Sequence, residues 1–261
     1  MKPVRAKKKL GQHFLTDLTI ARRIAETLDF QKYSNIIEIG PGMGVLTQFL
    51  VSETQSLNLV EIDSESVVYL KNTYDENQVN LIEGDFLNLD FKNTFGEEPF
   101  AITGNFPYNI STQIVFKTLE NRDQIPFFSG MFQKEVAERI CEPPGSKKYG
   151  ILSVLTQLFY KTELLFHVPP QVFKPPPKVD SAVIRLVRKT DFHLDCDEVL
   201  LFQLVKLSFQ QRRKTLRNSL KTLNIPKMLT EDSIFDLRPE KLSGKDFVQL
   251  AKQIGHGNIS N

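Results

Sequence analysis

Cysteine and histidine are scarce in this chain of 261 residues. Its two cysteines, Cys141 and Cys196, follow no pairing pattern, and its four histidines lie far apart in the sequence. The sequence therefore predicts neither a disulfide framework nor a metal site. No apolar run approaches the length of a membrane span, and polar Gly11-Gln12-His13 follows the basic start where a signal peptide needs apolar residues. We expect a cytoplasmic protein.

Net charge is small as well, at +2, but the basic residues are unevenly distributed. Residues 1–10 and 206–221 contain lysines and arginines without any acid, and residues 174–189 contain Asp180 as their single acid. Acidic residues gather instead between residues 53 and 98. A single basic cluster is usually a solvated face, but separate clusters on a nearly neutral protein indicate a surface that binds a polyanion.

The first two thirds of the chain alternate between strand and helix. Strands are predicted over 35–39, 57–60, 79–82 and 100–102, helices over 17–28, 45–51 and 64–74, and later strands over 127–132, 164–168 and 182–187. This alternation predicts an α/β fold in which a parallel sheet carries helices on both faces.

From about residue 190 the pattern is helical only, over 197–209, 216–223 and 247–254. We therefore expect two domains, residues 1–189 with the sheet and residues 190–261 as a small all-helical domain. The second is too small for a robust core of its own and is expected to dock on the first.

The most informative stretch is Asn105-Phe106-Pro107-Tyr108. It lies between a buried strand and a helix that Ser111 or Thr112 is expected to cap, at the end of a strand, where open α/β sheets bind ligands. The proline fixes the backbone and removes an N–H donor, which leaves the asparagine side-chain oxygen and the phenylalanine carbonyl side by side near aromatic rings. Two such acceptors suit a planar amine with two hydrogens, such as that of adenine. Taken alone, the tetrapeptide is equally typical of an ordinary turn.

A glycine-rich loop, Glu38-Ile39-Gly40-Pro41-Gly42-Met43-Gly44, follows the first predicted strand. Glu61 ends the next strand, where an acid can accept hydrogen bonds from both ribose hydroxyls. A dinucleotide enzyme and an S-adenosylmethionine enzyme share these features.

Three features favour S-adenosylmethionine. The glycine spacing is G-x-G-x-G, and Pro41 takes a backbone donor out of the turn. Glu38 and Glu61 suit a ligand with an ammonium group and a ribose better than one with a pyrophosphate. Gly84-Asp85-Phe86 follows the third strand and offers a carboxylate and an aromatic face to an adenine ring.

Several stretches, in this order, closely resemble the ribosomal small-subunit adenine dimethyltransferases, the kasugamycin-resistance family of 16S rRNA enzymes. They are Lys9–Leu15, Glu38–Thr47, Val60–Asp63, Gly84-Asp85, Gly104–Thr112, Phe132–Ala137, Val172–Ser181 and Ser208–Leu216. Together they cover most of the chain. Two positions depart from the pattern: His13 stands where many members have Asn, and Phe106 where many have Leu.

The resemblance implies a Rossmann-like S-adenosylmethionine-dependent methyltransferase with a small C-terminal helical domain. Such an enzyme methylates N6 of two adjacent adenosines in the 3′-terminal hairpin loop of 16S rRNA, giving N6,N6-dimethyladenosines during small-subunit biogenesis. The implied partner is small-subunit rRNA within a pre-30S particle, bound by a monomer without a membrane.

The resemblance, with the glycine loop, also assigns site residues. The cofactor-binding residues are His13, Leu15, Gly40, Gly42, Glu61, Ile62, Asp85, Phe86 and Asn105. The target adenine is expected to lie against Asn105, Phe106, Pro107, Tyr108 and Phe173. The basic residues expected to bind RNA are Lys7, Lys8, Lys9, Lys174, Lys178, Arg212, Arg213, Lys214 and Arg217.

Other functions remain open from the sequence. The first is a 23S rRNA adenine N6-methyltransferase of the macrolide-resistance type, which has the same catalytic parts. The second is a non-catalytic RNA- or DNA-binding assembly factor on the same fold, and a dinucleotide oxidoreductase is the most distant. The Val172–Ser181 and Ser208–Leu216 stretches favour the small-subunit enzyme.

Overall fold

A computed structural model of the protein describes residues 4–33 and 35–259. Lys2, part of the first basic cluster, lies outside these residues. The strands are β1 (Phe14–Leu15), β2 (Asn35–Ile39), β3 (Ser56–Glu61), β4 (Asn80–Glu83), β5 (Ala101–Asn105), β6 (Phe127–Gln133), β7 (Tyr160–Val168), β8 (Phe173–Lys174) and β9 (Ser181–Arg188). The α-helices are α1 (Leu18–Ala25), α2 (Thr47–Leu50), α3 (Ser64–Lys71), α4 (Phe91–Phe95), α5 (Ser111–Glu120), α6 (Lys134–Cys141), α7 (Ile151–Phe159), α8 (Glu198–Gln210), α9 (Leu216–Ser219), α10 (Lys227–Thr230) and α11 (Gly244–Ile259).

One sheet contains seven strands in the order β4-β3-β2-β5-β6-β9-β7. Neighbours from β4 to β6 are parallel, whereas β9 runs antiparallel to β6. The predicted α/β fold is confirmed, but the sheet is mixed rather than wholly parallel.

The strand order reverses beside β2, whose neighbours are β3 and β5. A reversal of this kind opens a crevice at the carboxyl ends of the strands, where open α/β sheets bind ligands. The residues that end or follow β2, β3, β4 and β5 all lie at this edge: Gly40, Glu61, Gly84 and Asn105. The fold therefore brings the glycine loop, the acidic residues and the Asn-Phe-Pro-Tyr stretch together.

Helix α2 is shorter than predicted, because the glycine loop continues to Leu46 as a series of turns. Gly40, Gly42 and Gly44 all have positive φ values, at 66°, 58° and 75°. A side chain would be strained in that conformation. The loop thus keeps backbone rather than side chains at the end of β2.

The predicted cap of α5 is wrong. Ile110 occupies the N-cap position and makes no side-chain cap. The Ser111 hydroxyl instead donates to the Tyr108 carbonyl at 3.2 Å, so it ties the Tyr108 backbone to the first turn of the helix.

Contacts within the chain divide it into two compact units. One contains residues 1–138 and 161–188, and the other contains 139–160 and 189–261. One break lies at residue 189, and residues 139–160 group with the later helices rather than with the sheet. Helix α7 is apolar on almost every side, with Leu152, Val154, Leu155, Leu158 and Phe159 buried, and it packs against α8 and α11. It gives the small helical unit the core that residues 190–261 lack alone.

Across the described ranges, no helix is both long enough and apolar enough to cross a membrane. Within the same residues, no group of three His, Cys, Asp or Glu side chains is placed to hold a metal ion.

Candidate active site

A cavity of about 260 Å³ lies at the carboxyl ends of β2 to β5. Its lining includes four of the five residues expected at the target base, Asn105 to Tyr108, and eight of the nine expected at the cofactor: His13, Gly40, Gly42, Glu61, Ile62, Asp85, Phe86 and Asn105. The ninth, Leu15, lines a smaller cavity of about 30 Å³ that shares Phe14, Gly40 and Asn105 with the first. The residues expected from the sequence thus lie together around connected cavities, and their roles at a cofactor and a target base stay predictions.

Asn105 is the last residue of β5, and its side-chain amide is held in one orientation. The Nδ2 group donates a hydrogen bond to the His13 carbonyl at 3.0 Å. Because the amide has its donors on nitrogen and its acceptor on oxygen, this bond leaves Oδ1 as the acceptor for a ligand. Among the hydrogen bonds between described residues, none reaches the Phe106 carbonyl oxygen. The two acceptors expected from the sequence are therefore both present.

The Phe106 ring is in the core and does not form the expected aromatic wall. The residue is 1% exposed, and its ring lies 4.9 Å from the rings of Phe128 and Phe132. Space for it comes from Gly104 and Gly130, whose added Cβ atoms would lie 3.1 and 2.3 Å from ring atoms. The buried ring anchors the backbone that carries the Phe106 carbonyl.

Tyr108 is one of the aromatic residues that line the cavity. Its ring stacks on His13 with centroids 5.3 Å apart, and its hydroxyl is hydrogen-bonded to Ser181 Oγ. Burial raises the pKa of Tyr108, although the bond to Ser181 acts in the opposite direction. The phenol therefore stays protonated at neutral pH. Sequence reasoning missed Ser181 as a partner, although it ends one of the family stretches.

Glu61 is nearly buried, and backbone amides fix its carboxylate. The Gly42 N–H donates to Oε2 at 3.0 Å and the Asp63 N–H donates to Oε1 at 2.9 Å. Burial is the largest influence and raises the pKa of Glu61, while these hydrogen bonds lower it. Each oxygen has a further lone pair, so the carboxylate is oriented and still able to accept from two hydroxyl groups.

Asp85 and Ile62 complete the part of the cavity that is expected to hold an adenine ring. Asp85 accepts from the Leu87 N–H at 2.9 Å and from Asn88 Nδ2 at 3.0 Å, which orients its carboxylate. Ile62 is 51% exposed although it is apolar. A flat apolar ligand would cover this side chain.

Glu38 has a different environment from the one expected. It is 1% exposed, it lines the smaller cavity, and it accepts a hydrogen bond from the Thr47 hydroxyl at 2.6 Å. Burial raises the pKa of Glu38 from 4.5 to about 8, with a further contribution from the charge of Glu61. Burial thus favours the neutral form of this side chain at pH 7.

We expect Glu38→Gln to flatten the pH dependence of stability. Folded Glu38 keeps a proton that the unfolded chain releases above about pH 4.5, so its contribution lowers the free energy of unfolding as pH rises from 4.5 to 8. The slope is up to about 1.4 kcal/mol per pH unit. Gln retains the acceptor for Thr47 and does not titrate. Chemical denaturation of both proteins between pH 5 and 9 measures the difference, with exposed Glu53→Gln as control; parallel curves for wild type and Glu38→Gln would contradict the assignment.

Phe173 does not reach the cavity. It pairs with Leu15 across the β1–β8 ribbon, is 4% exposed and belongs to the hydrophobic core. Phe173 is therefore outside the cavity lining, and its expected contact with a target base stays a prediction. The pairing of β8 with β1 places Phe173 in the core. The sequence predicted neither of these two-residue strands.

The basic residues expected to bind RNA fall into two groups. Exposed ones are Lys8, Lys9, Lys174, Lys178, Arg213 and Lys214. The others have protein partners. Lys7 contacts Asp63 and Glu65, Arg212 donates to the Ser146 carbonyl at 3.0 Å, and Arg217 donates to Asp236 at 2.9 and 3.0 Å.

Residues 4–252 match the family Ribosomal RNA adenine dimethylase. A ribosomal RNA small subunit methyltransferase A from Flavobacterium johnsoniae is 58% identical over 254 residues, which cover 97% of each chain. A solved dimethyladenosine transferase from Plasmodium falciparum is 26% identical, with a TM-score of 0.78 over 94% of this chain and 98% of that one. The 23S rRNA methyltransferase ErmE is also 26% identical, with a TM-score of 0.68 over 91% of this chain and 99% of its own.

These matches confirm the resemblance and the fold class expected from the sequence. The two solved structures have the Rossmann-like methyltransferase sheet with a helical C-terminal part. The family match spans nearly the whole chain, including every stretch on which the resemblance was based. The chain belongs to the ribosomal RNA adenine dimethylase family.

Proposed function

We propose that the protein transfers methyl groups from S-adenosylmethionine to N6 of two adjacent adenosines in the 3′-terminal hairpin loop of 16S rRNA. The products are N6,N6-dimethyladenosines formed on a pre-30S particle in the cytoplasm, by a monomeric enzyme. The observation that carries the proposal is the pair of acceptors at the end of β5, with Asn105 Nδ2 occupied by the His13 carbonyl.

The cavity fits S-adenosylmethionine by the chemistry of its lining. Glu61 is oriented by two backbone amides to accept from ribose hydroxyls, and Asp85 is placed to accept from the adenine amine. Ile62 offers an apolar surface, and the glycine loop lets a ligand approach its backbone closely. When bound there, S-adenosylmethionine supplies an electrophilic methyl group on a sulfonium centre.

The chain's contribution to the reaction is mainly positioning. Asn105 Oδ1 and the Phe106 carbonyl accept the two N6 hydrogens of the target adenine, which turns the nitrogen lone pair toward the methyl group. In the transfer that bound S-adenosylmethionine would supply, a nitrogen–carbon bond would replace the carbon–sulfur bond, and the electron pair of that bond would stay on sulfur. Correct orientation of this kind is worth up to about 7–11 kcal/mol in favourable cases.

A general base is not needed in this scheme. The nitrogen becomes acidic once methylated and loses its proton to water. Tyr108 keeps its own proton because burial raises its pKa, so we assign its ring to stacking on the target base. Stacking of this kind is worth about 1–3 kcal/mol per base and offsets part of the cost of extruding the base from the RNA.

Two related activities are less favoured. The 23S enzyme shares the fold, but the relative named for the small subunit is much more similar in sequence to this chain. A non-catalytic assembly factor would not need Glu61, Asp85 and Asn105 placed around one cavity.

Methyl transfer to defined RNAs tests the proposal. Purified protein is incubated with labelled S-adenosylmethionine and, separately, with immature small subunits, large-subunit rRNA or free oligonucleotides. We expect label as dimethyladenosine on small-subunit rRNA alone. Label on large-subunit RNA alone would support the 23S activity instead, and cofactor binding without transfer to any RNA would support the assembly factor.

A further inference from the structure

A segment near the amino terminus covers the candidate cofactor cavity. Residues 7–16, which we call the N-terminal strap, contribute five consecutive lining residues, Leu10 to Phe14. At its far end the strap is held by the β1–β8 ribbon and by Thr16, whose N–H and hydroxyl both donate to the Val172 carbonyl at 2.8 Å. A ligand in the cavity is thus enclosed on one side by this strap.

The near end of the strap is held by Asp63. The Lys7 ammonium and Gln12 Nε2 both donate to the Asp63 carboxylate, the second at 3.1 Å. Lys7 also lies 3.0 Å from Glu65, and its backbone N–H donates to Gln12 Oε1 at 2.8 Å. The Asp63 side chain is 1% exposed, so its charge depends on these partners rather than on water.

The pKa shifts of Asp63 and Lys7 agree with an ion pair between them. Burial alone acts to raise the pKa of Asp63, but the hydrogen bonds from Lys7 and Gln12 hold it below its usual value. The same hydrogen bonds, to Asp63 and Glu65, raise the pKa of Lys7. Both groups are therefore charged at neutral pH and paired with each other.

Asp63 and the strap also contact the two residues assigned to the cofactor and to the target base, Glu61 and Asn105. The Asp63 backbone N–H donates to Glu61 Oε1 at 2.9 Å, so one residue holds both the strap and the carboxylate assigned to the ribose. Next to Gln12, the His13 carbonyl accepts from Asn105 Nδ2 at 3.0 Å. The position of the strap thus affects the cofactor side of the site first, and the target side through His13.

We propose that Lys7 is a positioning residue of the cofactor site: its ammonium fastens the N-terminal strap to Asp63 over the bound cofactor, and it is not a phosphate contact. The inference rests on the proposed function, because it names the ligand beneath the strap as S-adenosylmethionine. It reassigns Lys7 from the basic cluster in which the sequence placed it and leaves Lys8 and Lys9, both exposed, as the RNA-facing lysines of that cluster.

Lys7→Gln and Lys8→Gln form a matched pair that separates the two roles. For Lys7→Gln we expect about tenfold weaker S-adenosylmethionine binding and a similar rise in its KM, with kcat at saturating cofactor nearly unchanged. The salt dependence of RNA binding should not change. For Lys8→Gln we expect unchanged cofactor binding and a salt slope reduced by about one unit, as for the loss of one phosphate contact. Isothermal titration calorimetry measures the cofactor affinity, and RNA binding is titrated between 50 and about 200 mM salt.

A variant that carries both Lys7→Gln and Asp63→Asn distinguishes the loss of this contact from a general loss of folding. Asp63→Asn should weaken cofactor binding as Lys7→Gln does, and the two changes together should cost no more than the larger single effect, because they remove one shared contact. Cofactor affinity equal to wild type in Lys7→Gln, or additive losses in the double variant, would overturn the inference. Failure of the wild-type protein to bind S-adenosylmethionine would instead refute the proposed function.

Discussion

Asn105→Ala will abolish measurable methyl transfer while weakening S-adenosylmethionine binding only modestly. The change removes Oδ1, one of the two acceptors for the target amine, and removes the donor to the His13 carbonyl. Loss of one preorganised hydrogen-bonding group at a reacting centre costs about 10²–10³-fold in rate. Single-turnover transfer to immature small subunits measures the rate, and calorimetry measures the cofactor affinity.

Asn105→Asp provides the matched control. It keeps the shape of the side chain and one acceptor oxygen, but its second oxygen would face the His13 carbonyl without a hydrogen to donate. We therefore expect a rate between those of Asn105→Ala and wild type. A wild-type rate in Asn105→Ala would refute the role of Oδ1, and equal rates in the two variants would show that the donor to His13 is what the reaction needs.

Gly130→Ala will impair both stability and methyl transfer, although Gly130 lies outside the cavity lining. An added Cβ would lie 2.3 Å from the Phe106 ring and 2.5 Å from the Gly104 carbonyl oxygen. Overpacking of this kind costs about 1–3 kcal/mol. Displacement of the ring also moves the backbone that carries the Phe106 carbonyl, and a shift of about 1 Å in a reacting group can cost about 10²-fold in rate.

Two further variants make this second prediction specific. Gly255→Ala, in α11, adds a Cβ that would lie 3.9 Å from Leu200 Cδ2, an ordinary van der Waals distance. We expect unchanged transfer and stability equal to or above wild type. Phe106→Leu combined with Gly130→Ala should recover part of the rate, because the contact with the ring is gone while that with the Gly104 oxygen remains. Thermal unfolding and single-turnover transfer measure both effects; full activity in Gly130→Ala alone would contradict the role of the buried ring.

The sequence points to residues that line one cavity because the candidate site residues lie in short, contiguous stretches at strand ends. The glycine loop, Glu61, Asp85 and the Asn-Phe-Pro-Tyr stretch each follow a strand with a clear apolar pattern, and parallel strands bring such ends to one edge of a sheet. The proposed acceptor role of Asn105 rests on its residue type and on the proline two positions later.

What the sequence could not predict depends on long-range packing. The burial of the Phe106 ring becomes apparent only once Gly104 and Gly130 are seen to make room for it. The burial of Phe173 likewise depends on the pairing of its strand with Leu15. The Lys7 contact joins residues 56 positions apart, and a cluster of lysines contains no sign of which one has a buried acidic partner.

The domain boundary shows the same limit. Residues 139–160 follow a strand of the sheet and precede another, so local pattern assigns them to the first domain. Only the burial of α7 among the later helices places them with the second unit. The helical unit needs this apolar surface because its other helices leave too small a core.

The most direct test of the account is a crystal structure of the protein with S-adenosylhomocysteine and an adenosine-containing RNA fragment. We expect the target N6 within about 3 Å of both Asn105 Oδ1 and the Phe106 carbonyl oxygen, on the side that faces the sulfur. A target amine held by other groups, or lying beyond hydrogen-bonding distance of both oxygens, would contradict it.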